Sequence, residues 1–153
     1  MLEEQVMVFR IQEEEYALPM LVTRGIVQPD CIHKMPEAPD YLEGVIEVEG
    51  QNIPIVRLAE KFGLAGGRTD YNQVVLVAVG ACEIGIMAEA VIENFPMTAT
   101  CLDAATRGRS YLGSCIQGLC EMGNRIIILL DIARVFSPEE LAVLHKLNSR
   151  LAD

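Results

Sequence analysis

A chain of 153 residues, 51% hydrophobic and 22% charged, has the length of one domain and ample apolar content for a packed core. Its formal net charge of −10 repels phosphate backbones and anionic lipid, with no basic stripe to offset it, which argues against nucleic acid and direct membrane insertion. No apolar run reaches the length of a membrane span, and the start MLEEQVMVFR lacks the order of a signal peptide, so a cytoplasmic protein with reduced cysteines is expected.

In chain order, VMVFRI (6–11) and the run YALPML read as strands joined by a polar turn at QEEE (12–15). IPIV (53–56) follows as a strand, and its proline suggests an exposed sheet edge because it cannot donate to an interior ladder. LAEKFGL is a helix of one or two turns, and LAGGRTDYN (64–72) is the expected crossover. VVLVAV (74–79) and IGIM (84–87) then form a second hairpin around GACE. PMTATCLDAATRGR (96–109) is expected to be a mobile loop or a short irregular helix. IIILL (126–130) and the short helix DIARVF lead to SPEELAVLHKLNSRL, a helix with Ser137 as N-cap, Pro138 at its first position and Glu140 completing a capping box. Leu141, Leu144, Leu147 and Leu151 give that helix a packing stripe.

One sentence is written twice. YLEGVIEVEGQNIPIVRLAEKF (41–62) and CIQGLCEMGNRIIILLDIARVF (115–136) align without a gap from Gly44 and Gly118. The duplication predicts a mainly β fold of two pseudo-symmetric small barrels, about 6–64 and 72–136, with a C-terminal helix over 138–151. Either half alone would make a marginal core, so both are expected to pack as a single domain over 1–153.

Candidate chemistry is sparse. His33 and His145 sit in no metal-ligand frame, and Cys115 and Cys120 are five apart, a spacing that matches no common zinc site. Gly66-Gly67 and TRGRS lack the strand-to-helix context of a phosphate cradle, and Arg107 and Arg109 read as solvated loop charges. No catalytic residue, metal or cofactor is predicted. What remains is a binding surface, with a thiol enzyme or redox sensor using Cys115 or Cys120 as the competing class.

The order VFRIQEEEYALPM, MPEAPDYLEGVIEVEGQNIPIVRLAEKFGL and IIILLDIARVF resembles the CheW-like domain family over nearly the whole chain. The resemblance implies two five-stranded SH3-like barrels without enzymatic activity. It implies an adaptor that binds the regulatory domain of a CheA-type histidine kinase and the cytoplasmic tip of a chemoreceptor, or a paralogue serving another pathway. The family's contact motifs fall on Thr23, Gly25, Glu47, Val48, Glu49, Gly50 and Arg57. Three of them depart from the usual pattern. Glu47-Val48-Glu49-Gly50 stands where the family reads Asn-Leu-Arg-Gly, Gly25 replaces a glutamate, and Arg57 replaces an aspartate. The charge offered at Glu49 is thereby reversed, and a pair between Glu49 and Arg57 across the hairpin is expected. The coordinated changes favour a specialised receptor over neutral drift.

Overall fold

Tight turns fix the strand pairs in the computed structural model, which describes residues 3–64, 71–98 and 115–148. Strands β1 (Glu3–Ile11) and β2 (Glu14–Pro19) are joined by Gln12 and Glu13, whose φ angles of +50° and +71° give the turn the twist a two-residue hairpin needs. β3 (Thr23–Val27), β4 (His33–Lys34), β5 (Leu42–Val48) and β6 (Gln51–Val56) follow, then the one-turn helix α1 (Leu58–Lys61). The second half supplies β7 (Gln73–Val79), β8 (Cys82–Ala88), β9 (Ala90–Thr98), β10 (Ile116–Met122) and β11 (Arg125–Leu130). A 3₁₀ turn at Ile132–Arg134 and helix α2 (Pro138–Asn148) close the described chain. The capping box forms as the sequence predicts: the Glu140 amide donates to Ser137 Oγ at 3.1 Å and the Ser137 amide donates to Glu140 Oε1 at 2.8 Å. Residues 65–70 and 99–114, which hold most of the expected crossover and of the 96–109 connection, lie outside the described residues, as does Leu151.

The duplicated sentence folds into duplicated hairpins. β5 and β6 pair as Leu42↔Val56, then after a bulge Gly44↔Ile55, through to Val48↔Gln51. β10 and β11 pair as Ile116↔Leu130, then after a bulge Gly118↔Leu129, through to Met122↔Arg125. Every pair of the first hairpin recurs 74 positions later, bulge included. The opening hairpins match too, since Val8↔Ala17 and Phe9↔Tyr16 recur 68 positions later as Leu76↔Gly85 and Val77↔Ile84. The fold class is as expected: mainly β, in two related units with short helices.

The sheets, however, are not the two halves of the chain. One runs β10-β11-β2-β1-β9 and the other β3-β7-β8-β6-β5-β4, so each half lends its opening hairpin to the other half's sheet. The expected division at 6–64 and 72–136 therefore does not follow sheet membership. Parallel pairing makes the exchange possible: β2 joins β11 and β8 joins β6 without a tight turn between them. The second sheet also has six strands rather than five, because the two-residue β4 pairs on β5.

Apolar faces explain why the strands read as continuous hydrophobic runs. Met7, Phe9 and Ile11 of β1 join a large cluster with Val75, Val77 and Val79 of β7, drawn from both sheets. Val6 and Val8 face a smaller cluster with Ile127 and Leu129, and Val74 and Leu76 face its counterpart with Ile53 and Ile55. Burial on both faces removes the polar alternation of a one-sided sheet. α2 buries Leu144 completely, with Leu141 and Leu147 partly covered against the same large cluster.

Pro54 is buried in an interior strand, not on an edge. β6 lies between β8 and β5, and Pro54 is opposite Val45. Its effect shows in the parallel ladder instead: β11 pairs with β2 from Ile127, whereas β6 pairs with β8 only from Ile55, the residue after the proline.

Candidate functional site

The family-motif residues fall on two parts of the six-stranded sheet. Thr23 and Gly25 are on β3 at one end of the strand order, and Glu47 and Val48 are on β5 near the other. Val27 and Val48 both pack on the cluster of Ile46, Ile53, Ile55, Val74, Leu76 and Met87, so the two strands flank one apolar centre. At β3 the chain is shaped by local bonds. Thr23 Oγ1 donates to the Met20 carbonyl at 2.8 Å, and Arg24 Nη1 donates to the Leu21 carbonyl at 3.0 Å. Gly25 occupies φ +139° at a bulge in the pairing with β7, a conformation in which a side chain would be strained.

The β5–β6 turn consists of Glu49 and Gly50, at φ +52° and +80°, both exposed. Glu47 is exposed in the strand before it, and neither carboxylate has an ion-pair or hydrogen-bond partner among the described residues. Val48 is half-buried.

Arg57 does not pair with Glu49. The register puts Glu49 in the turn beyond Val48↔Gln51 and Arg57 past the opposite end of the hairpin, beyond Leu42↔Val56. There Arg57 Nη2 donates to the Asp40 carbonyl at 2.6 Å and Nε lies 3.3 Å from Glu43, which Lys34 also approaches at 3.7 Å. Glu43 is thus a junction that the sequence did not single out. It sits in the bulge between Leu42 and Gly44, and bulge positions leave no periodicity to read.

Nucleophilic chemistry finds no support here. Cys82, Cys115 and Cys120 are buried. Burial, and then the Glu83 carboxylate, pushes the Cys82 thiol up, and burial likewise dominates in raising Cys115, which suppresses the reactive thiolate. His33 on β4 and His145 on α2 are exposed and stand on separate elements. Among the described residues no group of three or more His, Cys, Asp or Glu is placed to hold a metal, and no helix is long and apolar enough to cross a membrane.

Residues 5–140 match the sequence profile of the CheW-like domain. The chain belongs to the CheW-like family. This CheW-like chain is 31% identical over 146 residues to the chemotaxis protein CheW of Klebsiella aerogenes, covering 92% of this chain and 86% of that protein. It is 27% identical over 141 residues to the chemotaxis protein CheW of Thermotoga maritima, covering 92% and 91%. In fold it is similar to the scaffolding protein TtCheW of Thermoanaerobacter tengcongensis, with a TM-score of 0.78 at 23% identity over 89% of this chain and 94% of that one.

Proposed function

We propose that this CheW-like chain is a non-catalytic adaptor of bacterial chemosensory signalling that couples chemoreceptors to a CheA-type histidine kinase. The match to the CheW-like domain over residues 5–140 carries the reading, and relatives named as chemotaxis proteins match about nine-tenths of the chain. Buried thiols with raised pKa values and exposed histidines on separate elements supply no competing chemistry among the described residues. The kinase's regulatory domain is the first partner and the chemoreceptor tip the second, and the protein works in the cytoplasm where both are found.

The surface assigned to these contacts comprises Thr23 and Gly25 on β3 and Glu47 to Gly50 at the β5–β6 turn. Arg57 belongs to it through its exposed side, its inner side being held by Asp40 and Glu43. Glu47 and Glu49, exposed and without a partner among the described residues, favour a receptor tip that is correspondingly basic. Immobilised protein should retain a histidine kinase from its native lysate, and calorimetric titration should then show binding of that kinase's regulatory domain. A purified kinase domain that releases no heat and does not co-elute would overturn the assignment.

A further inference from the structure

Among the described residues, Asn148 at the end of α2 is the single buried side chain that is an amide or carries a charge, at 7% exposure. Its carboxamide lies between two strands: Nδ2 donates to the Asn52 carbonyl of β6 at 2.8 Å, and Oδ1 accepts from the Glu83 amide of β8 at 3.0 Å. The orientation of the amide is fixed by its partners, since a carbonyl requires the NH₂ and an N–H requires the oxygen.

Those two backbone groups are the ones a longer ladder would join. The β6–β8 pairing is Ile55↔Gly85 and Val56↔Ile86. Continued two positions back, it would pair Ile53 with Glu83, bonding the Asn52 carbonyl to the Glu83 amide and the Glu83 carbonyl to the N–H of residue 54. Residue 54 is proline and has no N–H. In the other sheet the equivalent rung is intact: Ile127, 74 positions after Ile53, pairs with Glu15, and Ile128 stands where the proline is.

We infer that Asn148 replaces the ladder rung that Pro54 removes, and that α2 is thereby a strap holding the β6–β8 seam shut. The seam is the join between the first half's strands and the hairpin lent by the second half, so displacing α2 loosens the sheet where the two halves meet.

Amide hydrogen exchange on the full chain tests this. The Glu83 amide should be protected in the wild type, and Asn148→Ala should raise its exchange by about tenfold or more, the factor that one orphaned buried hydrogen-bonding group commands. Pro54→Ile restores the missing N–H, so in that background Asn148→Ala should change Glu83 exchange far less. This comparison also serves if the single alanine variant folds poorly, because the double variant should recover. Ser137→Ala weakens the cap at the far end of α2 and should raise Glu83 exchange severalfold through the helix alone. An unprotected Glu83 amide in the wild type, an unchanged rate in Asn148→Ala, or an equal loss in both backgrounds overturns the replacement. A Ser137→Ala variant with unaltered Glu83 exchange overturns the strap.

Discussion

The Lys61 ammonium lies 2.7 and 2.8 Å from the two carboxylate oxygens of Glu140, tying α1, at the end of the first repeat, to the first turn of α2. The cation also stands 5.3 Å from the centre of the Tyr41 ring and 5.8 Å from that of Phe136. Both ends of the duplicated sentence thus contribute an aromatic face to one charge.

This pair makes stability depend on pH. Burial alone would raise the Glu140 carboxyl, but Lys61 and the Ser137 amide more than offset it and hold its pKa below the usual carboxylate range. A depressed native pKa contributes stability above the unfolded value and loses it as pH falls through the folded one. Glu140→Gln should therefore lower stability by about 1 kcal/mol at neutral pH, and the gap to wild type should close in acid. Urea midpoints on both sides of the carboxylate range measure this, and a gap that widens in acid contradicts it.

Gly44 and Gly85 offer a paired test of close packing. A Cβ at Gly44 would collide with the His33 carbonyl of β4, a backbone group that can retreat only by giving up its rung. At Gly85 it would meet the Ile55 Cδ1 and Val74 Cγ1 methyls, each at 2.7 Å, and these can shift. Position 17, its counterpart in the other sheet, is already alanine. Gly44→Ala should cost about 1–3 kcal/mol and Gly85→Ala less, by chemical denaturation.

Much of this arrangement was legible in the sequence, and the reasons for the rest are physical. The gapless alignment of residues 41–62 with 115–136 predicted two hairpins that the structure builds in the same register. The turns at Gln12–Glu13 and Gly80–Ala81 were readable because each interrupts an apolar run. The hairpin exchange was not, because hydrophobic pattern tells which face of a strand is buried and not which sheet it joins. β3, β4 and β9 were not singled out as strands, and residues 96–98, expected to open a loop or irregular helix, end β9 instead: β4 has two residues, β3 contains Gly25, and β9 carries Asn94 and Pro96. The family-motif positions were identified by resemblance, but the partners of Arg57 required the register to be known.

Glu49 holds a left-handed backbone conformation that glycine and asparagine tolerate better. Glu49→Asn should stabilise the protein by roughly 0.5–1 kcal/mol. Glu49→Arg should leave stability near wild type, since it keeps the same conformational cost. Thermal unfolding of the two variants side by side decides the matter.

Binding gives Glu49→Arg a different readout. Against a receptor-tip fragment from the same cell, the arginine variant should bind more weakly than wild type at low salt, and the difference should fade as salt screens it. Equal or tighter binding by the variant would mean that the reversed charge is drift and not specialisation.

Thiol reactivity should follow burial. Native Cys82 and Cys115 should react with iodoacetamide many times more slowly than the same cysteines in the urea-unfolded chain. A native site that labels as fast as an unfolded one would reopen a redox role.

Because each half of the chain finishes the other's sheet, neither half builds a complete sheet from its own strands. β1 cannot meet all its neighbours until β9 has been made, and β2 waits for β11, which ends at Leu130. On the ribosome, the first half must emerge with its leading hairpin unmatched and its later strands short of the β7–β8 hairpin, so the nascent chain holds open edges until β11 has been made. The exchange that welds the two halves also opposes their separation: cut apart, each would keep a hairpin whose sheet lies in the other.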